Sequence, residues 1–402
     1  MLKKRIIAMV SISDGIVVQS FGYKKKLPLG KPDAFIKNLD RWMVDEIIVN
    51  DFSRSIHNQS PDFEMIKKTD LDKIDKSGMY KIYDSWPEIA EENYNRIGVK
   101  NNLDKPSHIV FAGVGGSGAI SDVFAAILSK TNIHVEIVKG YILPKTVDKK
   151  TLVITTSVSG NTVETLNVLL QAQKIDCKII AFSSGGEMEK ICKKESINFR
   201  KILKIHSPRA SFVSFLFAML KELENILPIN KNEIFEAIIE LKKTREIINS
   251  KNLSNSNIAI SLANEIKNIP IIYYPWGLQA ACIRFKNSLQ ENSKMHVITE
   301  DIIEASHNGI VAWKKSEKMK PILIQGKDDF IKTKERWAIV KDYFKQNNIE
   351  YTEICSIEGG ILTKLIQLIY LLDYSSIYLS VIRKIDPSPV IAIDFLKEKL
   401  NE

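Results

Sequence analysis

Along the 402-residue chain, apolar residues fall in short runs separated by amphipathic stretches. Residues 6–12 are mostly apolar and stop at Asp14-Gly15, a turn signal. Helical spacing over residues 32–43 and a strand-like run at 44–49 complete a βαβ start. The chain then turns polar, with Asn, Gln, Ser and Pro between about Ser55 and Lys76, which marks a boundary. From Ser107 onward, strands are predicted at 108–112, 134–138, 152–155 and 178–182. The first, third and fourth run into small, polar loops followed by helical sequence. Short buried strands alternating with helices predict an α/β fold with parallel sheets covered on both faces. Charged helical sequence at 232–267 links this half to a second one. There, strands are predicted at 271–274, 322–325 and 351–354, with long helices at 330–346 and 360–382.

Length and composition narrow the class. At roughly 150 residues per domain the chain holds two or three domains. Hydrophobic residues make up 45% and charged residues 26%, which excludes wholesale disorder and collagen-like repeats. No apolar run approaches the ~18 residues of a membrane span. The apolar run after the basic N-terminus is too short for a secretory signal, so a cytoplasmic protein without membrane contact is expected. The net charge is 57 − 48 = +9; no basic run interleaved with aromatics points to nucleic acid. Cys177, Cys192, Cys282 and Cys355 form no CxxC pair and no zinc-like Cys/His spacing, and are read as free thiols. No metal site is expected.

Four loops carry candidate chemistry. Gly113, Gly115 and Gly118 fit G-x-G-x-x-G between a strand and a helix, a context that suits any phosphate. A dinucleotide site would also need an acidic residue closing the second strand, and Glu136 lies mid-strand instead. The second loop, Ser157-Val-Ser-Gly-Asn-Thr162, clusters the hydroxyls of Ser157, Ser159 and Thr162 just before a helix. One hydroxyl would be an N-cap; three beside a glycine favour anion binding. Arg209, in Ser207-Pro-Arg209, is either a solvated cation or a group that stabilises a developing oxyanion. Glu291 ends a helical stretch and His307 follows in a polar loop. The two suit a general base and general acid, although spacing alone does not bring them together.

These residues resemble a known family. Gly115-Gly-Ser-Gly118, Ser157-Val-Ser-Gly-Asn-Thr-Val-Glu-Thr165, Ser183-Ser-Gly-Gly186 and Pro208-Arg209 are similar to sugar isomerase (SIS) domains. With Glu291-Asn-Ser-Lys294, Glu304-Ala-Ser-His-Asn308 and Asp386-Pro-Ser-Pro-Val390, they resemble bifunctional phosphoglucose/phosphomannose isomerases over about residues 69–402. The resemblance implies two SIS subdomains, 69–228 with a lead-in helix and 229–402, in a homodimer with composite active sites. It implies that Gly116, Ser117, Ser157, Ser159 and Thr162 hold the phosphate of a small sugar phosphate. Glu291 would move a proton between C2 and C1, and Arg209 would stabilise the enediolate. His307, from the partner subunit, would assist ring opening, with Lys397 as a second ring-opening group. Val158 stands where the family often has an aromatic residue. Residues 1–68 resemble instead the start of the cyclase subunit of imidazole glycerol phosphate synthase, through Asp14-Gly15, Phe21-Gly22 and Val44-Asp-Glu-Ile-Ile-Val-Asn-Asp51. That family is a (β/α)₈ barrel, and about two βα units cannot close one. Its catalytic Asp is replaced by Ser11 and a following Lys by Gln19, so no cyclase activity is assigned and the segment reads as a partial barrel-like fragment.

The leading expectation is therefore an aldose–ketose isomerase interconverting glucose 6-phosphate or mannose 6-phosphate with fructose 6-phosphate through a cis-enediolate, a reaction that needs no cofactor. The alternative is a SIS-domain isomerase, or a non-catalytic binding protein, for another phosphosugar of surface polysaccharide synthesis. A nicotinamide enzyme is disfavoured by the hydroxyl-rich second loop.

Overall fold

A computed structural model describes residues 6–21, 25–42, 44–51, 70–96, 98, 104–254, 256–315 and 319–400. The polar boundary stretch expected after the first strands lies mostly outside them. Two compact units are present: Met1–Leu71 with Leu253–Asn257, and Asp72–Asn252 with Ile258–Glu402.

The first unit contains β1 (Ile7–Ser13), β2 (Ile16–Phe21), β3 (Lys25–Gly30), α1 (Pro32–Arg41) and β4 (Glu46–Asp51). Its sheet runs β3-β2-β1-β4. The pairs β1–β2 and β2–β3 are antiparallel, whereas β1–β4 is parallel, from Ile7↔Glu46 to Ile12↔Asp51. This corrects the simple βαβ expectation. Asp14 and Gly15 both take positive φ, 51° and 76°, the backbone of a two-residue hairpin turn. The chain therefore folds straight back as β2 before reaching α1. Val10, Ile12, Val17 and Leu39 form the core of the unit, while the alternate positions Ile7 and Met9 are exposed, as the period of two in a strand requires.

The second unit opens with α2 (Leu71–Ile74), α3 (Met79–Asp84) and α4 (Trp86–Tyr94). Next come β5 (His108–Ala112), α5 (Gly116–Leu128), β6 (His134–Val138), β7 (Leu152–Ser157), α6 (Val163–Ile175), β8 (Lys178–Ser183), α7 (Gly186–Lys194), β9 (Asn198–Lys201) and α8 (Phe212–Leu223). The five strands form a parallel sheet, β6-β5-β7-β8-β9. Helices α9 (Lys231–Ile248) and α10 (Ile258–Glu265) lead to the second half: β10 (Ile269–Tyr274), α11 (Gln279–Ser293), β11 (Ile298–Asp301), α12 (Ile302–Ala305), β12 (Met319–Gln325), α13 (Ile331–Gln346), β13 (Thr352–Cys355), α14 (Ile361–Ile382) and α15 (Ile391–Leu400). Its sheet is also parallel, β11-β10-β12-β13. The short strands β9 and β11, Asn-Phe-Arg-Lys and Ile-Thr-Glu-Asp, carry too much polarity to stand out in the sequence.

Helix α14 holds the halves together. It packs on α9, α10 and α11 and is buried from Leu362 to Val381 except at Lys364. It is also long and apolar enough to cross a membrane by length and composition, which the expectation of no such run overlooked. Yet 94% of its apolar window is buried within the protein. Its polar groups are satisfied there: Tyr370, Tyr374 and Tyr378 donate to the Tyr83 carbonyl, Asp84 Oδ1 and the Ile248 carbonyl at 2.6, 2.6 and 2.8 Å. Such pairing is what makes burial of polar atoms tolerable.

Candidate active site

In a parallel sheet, ligands bind beyond the carboxyl ends of the strands where the strand order reverses. In β6-β5-β7-β8-β9 that point lies between β5 and β7. The two loops leaving it are the glycine loop after β5 and the hydroxyl loop after β7.

Glycine is required in both. A Cβ on Gly118 would sit 2.9 Å from the Gly113 carbonyl oxygen, and one on Gly160 only 1.8 Å from that of Gly185. Gly115, with φ +59°, starts α5. Gly116 packs against the backbone of Pro208 and Arg209. Ser117 is buried, and its Oγ accepts the Val158 N–H at 3.3 Å, tying one loop to the other. In the second loop Ser157 Oγ accepts the Gly160 N–H at 3.0 Å and pairs with Thr162 Oγ1 at 2.9 Å. Thr162 stands at the N-cap of α6 but makes no capping bond with its side chain. Ser159 Oγ accepts the Asn161 N–H at 3.2 Å. The Ser183-Ser-Gly-Gly186 loop braces this loop, with Ser184 Oγ donating to the Val158 carbonyl at 2.7 Å. The starts of α5 and α6 thus offer first-turn N–H groups beside partly exposed hydroxyls at Ser159 and Thr162, a natural anion cradle.

Arg209, in the segment between β9 and α8, is buried and heavily engaged. Its Nε donates to Asn292 Oδ1 at 2.8 Å and Nη1 to Glu291 Oε2 at 3.1 Å. Its Nη2 donates to the carbonyls of Pro387 and Ser388 at 2.7 and 3.0 Å. Four of the five guanidinium N–H donors are used, leaving one on Nη1. A buried ion pair lies behind it. Arg284 donates from Nε and Nη2 to Asp373 Oδ2 at 3.0 and 2.6 Å, and from Nη2 to the Arg209 carbonyl at 2.9 Å. Ser288 and Tyr83 also donate to Asp373, at 2.7 and 3.1 Å.

Glu291, near the end of α11, shares a cavity of about 700 Å³ with Gly115, Asn287, Lys294 and the tail segment 389–393. The fold therefore brings Glu291, Arg209, the glycine loop and the Asp386-Pro-Ser-Pro segment together. It does not bring His307 or Lys397 there. His307 is an exposed residue just after α12, and Lys397 is exposed on α15; neither lines that cavity.

Two groups at the site went unassigned in the sequence. Lys294, with φ +53°, reaches the carbonyl oxygens of Glu291 and, at 3.3 Å, Pro387. Burial, and then the Arg209 charge, lower its pKa. His206, with φ +58°, contacts Ser77 Oγ at 2.9 Å through Nε2, and Ser77 bonds in turn to Ser388. Burial holds its pKa below the ordinary 6.5. The two prolines of Asp386-Pro-Ser-Pro were the available signal, since a φ-fixed segment holds its carbonyls in place.

Residues 102–223 match the SIS domain family, and residues 255–400 the family described as bacterial phospho-glucose isomerase C-terminal SIS domain. The bifunctional phosphoglucose/phosphomannose isomerase of Caldicellulosiruptor bescii is 32% identical over 340 residues, 81% of this chain and 99% of that one. The enzyme of the same name from Aquifex aeolicus is 28% identical over 323 residues, 78% and 98% of the two chains. A D-glucosamine-6-phosphate 4-epimerase of Sulfolobus acidocaldarius is 27% identical over 235 residues, 58% and 72% of the two chains. Among solved structures, a hypothetical protein from Thermus thermophilus superposes with a TM-score of 0.65 at 14% identity, covering 84% of this chain and 94% of that one. It shares the fold. With the two matched domains in order and a near-complete relative above 30% identity, the chain belongs to the bifunctional phosphoglucose/phosphomannose isomerase family.

Proposed function

We propose that the protein interconverts glucose 6-phosphate or mannose 6-phosphate with fructose 6-phosphate through a cis-enediolate. The observation that carries this reading is the 3.1 Å contact between Arg209 and Glu291 beside the glycine loop. It pairs a carboxylate able to take the C2 proton with a fixed cation able to hold the oxyanion that results. Because the enediolate is planar at C2, either C2 epimer gives the same intermediate.

In this reading the sugar phosphate sits on the first turns of α5 and α6. Ser159 and Thr162 donate to it, and Gly116, Ser117 and Ser157 shape the cradle. Glu291 carries the proton between C2 and C1, and the free Nη1–H of Arg209 meets the enediolate oxygen. His307 opens the sugar ring from the partner subunit of a homodimer, with Lys397 as a second ring-opening group. The domains are 1–68, 69–228 and 229–402, and the protein is cytoplasmic.

The test is proton NMR of fructose 6-phosphate in D₂O with wild type and Glu291→Gln. The proposal expects deuterium at C1 and C2, appearance of both aldose phosphates, and loss of exchange in the variant. Binding without exchange would defeat it. A second reading, another phosphosugar as substrate, is favoured by the match to the Sulfolobus epimerase. Glucosamine 6-phosphate therefore belongs in the same panel, and its turnover in preference to fructose 6-phosphate would select that reading.

A further inference from the structure

At the end of the N-terminal sheet away from the phosphate loops, three metal-ligating side chains meet. Strands β5 and β6 are parallel neighbours with His108 directly opposite His134. Glu136 follows His134 on the same face, since alternate strand residues share a face. Glu136 Oε1 lies 3.3 Å from His108 Nε2 and 3.3 Å from His134 Nε2. All three donor atoms lie within 4.8 Å of one another. Residues 108 and 134 are far apart in sequence, so no spacing motif announces the cluster.

The surroundings define what it can hold. His108 Nδ1 contacts Thr151 Oγ1 at 3.2 Å, and that hydroxyl donates to Asp148 Oδ1 at 3.0 Å. The single hydroxyl proton goes to the carboxylate, so Nδ1 must be the donor to Thr151. Nε2 is then the ring nitrogen turned toward Glu136. It is buried without a hydrogen-bond partner and faces a carboxylate oxygen. A ring nitrogen without a hydrogen bond, 3.3 Å from a carboxylate oxygen, has the spacing of two ligand atoms sharing one metal ion. Glu136 is itself oriented by Thr146 Oγ1, which donates to Oε1 at 2.7 Å. A histidine and a carboxylate each held by an outer hydroxyl match the supporting shell that metal ligands need.

We propose that His108, His134 and Glu136 bind a divalent transition-metal ion, zinc above all, as a clip between β5, β6 and the 146–151 turn. Two imidazoles and a carboxylate suit zinc rather than the all-oxygen preference of magnesium or calcium. Donor edges around tetrahedral zinc measure about 3.3–3.5 Å. Both nitrogen–oxygen edges are already near that length. His134, whose side chain is 65% exposed, is free to swing the rest of the way. The site lies about 13 Å of strand from the glycine loop, so the ion takes no part in isomerisation.

The test is titration of untagged, chelator-treated full-length protein with Zn²⁺ by calorimetry and with Co²⁺ by absorption. The proposal expects one ion per chain, cobalt bands without thiolate charge transfer, and a thermal midpoint that rises with zinc. His134→Ala and Glu136→Gln should weaken binding at least tenfold and abolish the thermal response. Thr151→Val should weaken it about 10- to 100-fold by freeing the His108 ring. No binding to wild type, thiolate charge transfer, or equal affinity in wild type and both ligand variants would each overturn it.

Discussion

The two halves of the second unit share one architecture and use it differently. Both are parallel sheets with a reversal of strand order, between β5 and β7 in one and between β10 and β12 in the other. In the first half, the loops at the reversal are glycine and hydroxyl sequence pressed so tightly together that a Cβ on Gly160 would overlap the Gly185 carbonyl. In the second half, the corresponding loops carry Pro275-Trp276 and Gly326-Lys327-Asp328. There the cations are paired with carboxylates, Lys327 with Glu358 at 3.2 Å and Lys364 with Asp328 at 2.5 Å. These pairs set carboxylates beside the lysines at that end of the second sheet. The second half's contribution is a helix, α11, which brings Glu291 to the loops of the first half. In the proposed reading, a duplicated fold thus yields one asymmetric site, with binding from one half and the proton-transfer group from the other.

Exchanging the proton-transfer group should break this division most sharply. Glu291→Gln keeps the shape and the Arg209 contact but removes the base. We expect kcat to fall by about 10³-fold, within the 10²–10⁴ range of general base catalysis, with little change in KM. Steady-state rates with fructose 6-phosphate check this. Lys327→Ala, at the other reversal point, is the control and should leave both constants within about twofold, because a mostly exposed ion pair contributes little. A comparable loss in both variants would mean that the halves are not specialised as argued. Next in size is Asp373→Asn. It leaves Arg284 buried, 3% exposed, without its counter-charge, and breaking such a pair costs about 3–5 kcal/mol. Urea denaturation should show that loss.

The periodicity of apolar runs located nearly every strand that positions the site, because buried parallel strands such as Val-Ile-Thr-Thr in β7 have an unmistakable pattern. In the first unit the turn at Asp14-Gly15 was legible, but the return strand Ile16–Phe21 was not expected, so the hairpin that such a turn signals was missed. Residue types pointed to Ser159, Thr162, Arg209 and Glu291 as candidates, and the fold juxtaposes Arg209 with Glu291. The local pattern was silent on Lys294 and His206, whose places depend on positive φ angles and on distant partners. It was equally silent on His108 and His134, which meet only through strand pairing. Tertiary neighbours of this kind leave no local spacing to read.

On the binding side of the comparison, single hydroxyl deletions should act on affinity alone. In the proposed reading, Ser159→Ala and Thr162→Val each remove one donor to a charged phosphate. A hydrogen bond to a charged group contributes about 1.5–3 kcal/mol, so KM should rise roughly tenfold or more with kcat nearly unchanged. Inorganic phosphate should inhibit both variants more weakly than wild type. A fall in kcat at constant KM would move these residues from holding the phosphate to the chemistry.

The smallest expected effect concerns the seam where the tail joins the first half. His206 touches Ser77, which bonds to Ser388, whose carbonyl receives Arg209. Burial lowers the His206 pKa below 6.5; Asp75 and Asp386 oppose that shift, while Arg209 and Lys204 reinforce it. The folded protein therefore binds this proton less readily than the unfolded chain, in which the imidazole titrates near its ordinary value. Its contribution is complete above pH 6.5 and is lost as pH falls from there through the lower folded value. Other groups also titrate on acidification, so the informative quantity is a difference between proteins. The midpoint of wild type should drop more than that of His206→Asn between neutral and mildly acidic pH. Parallel curves would show that the imidazole is protonated equally in both states, and that the seam is held by Arg209 and the proline-fixed carbonyls without it.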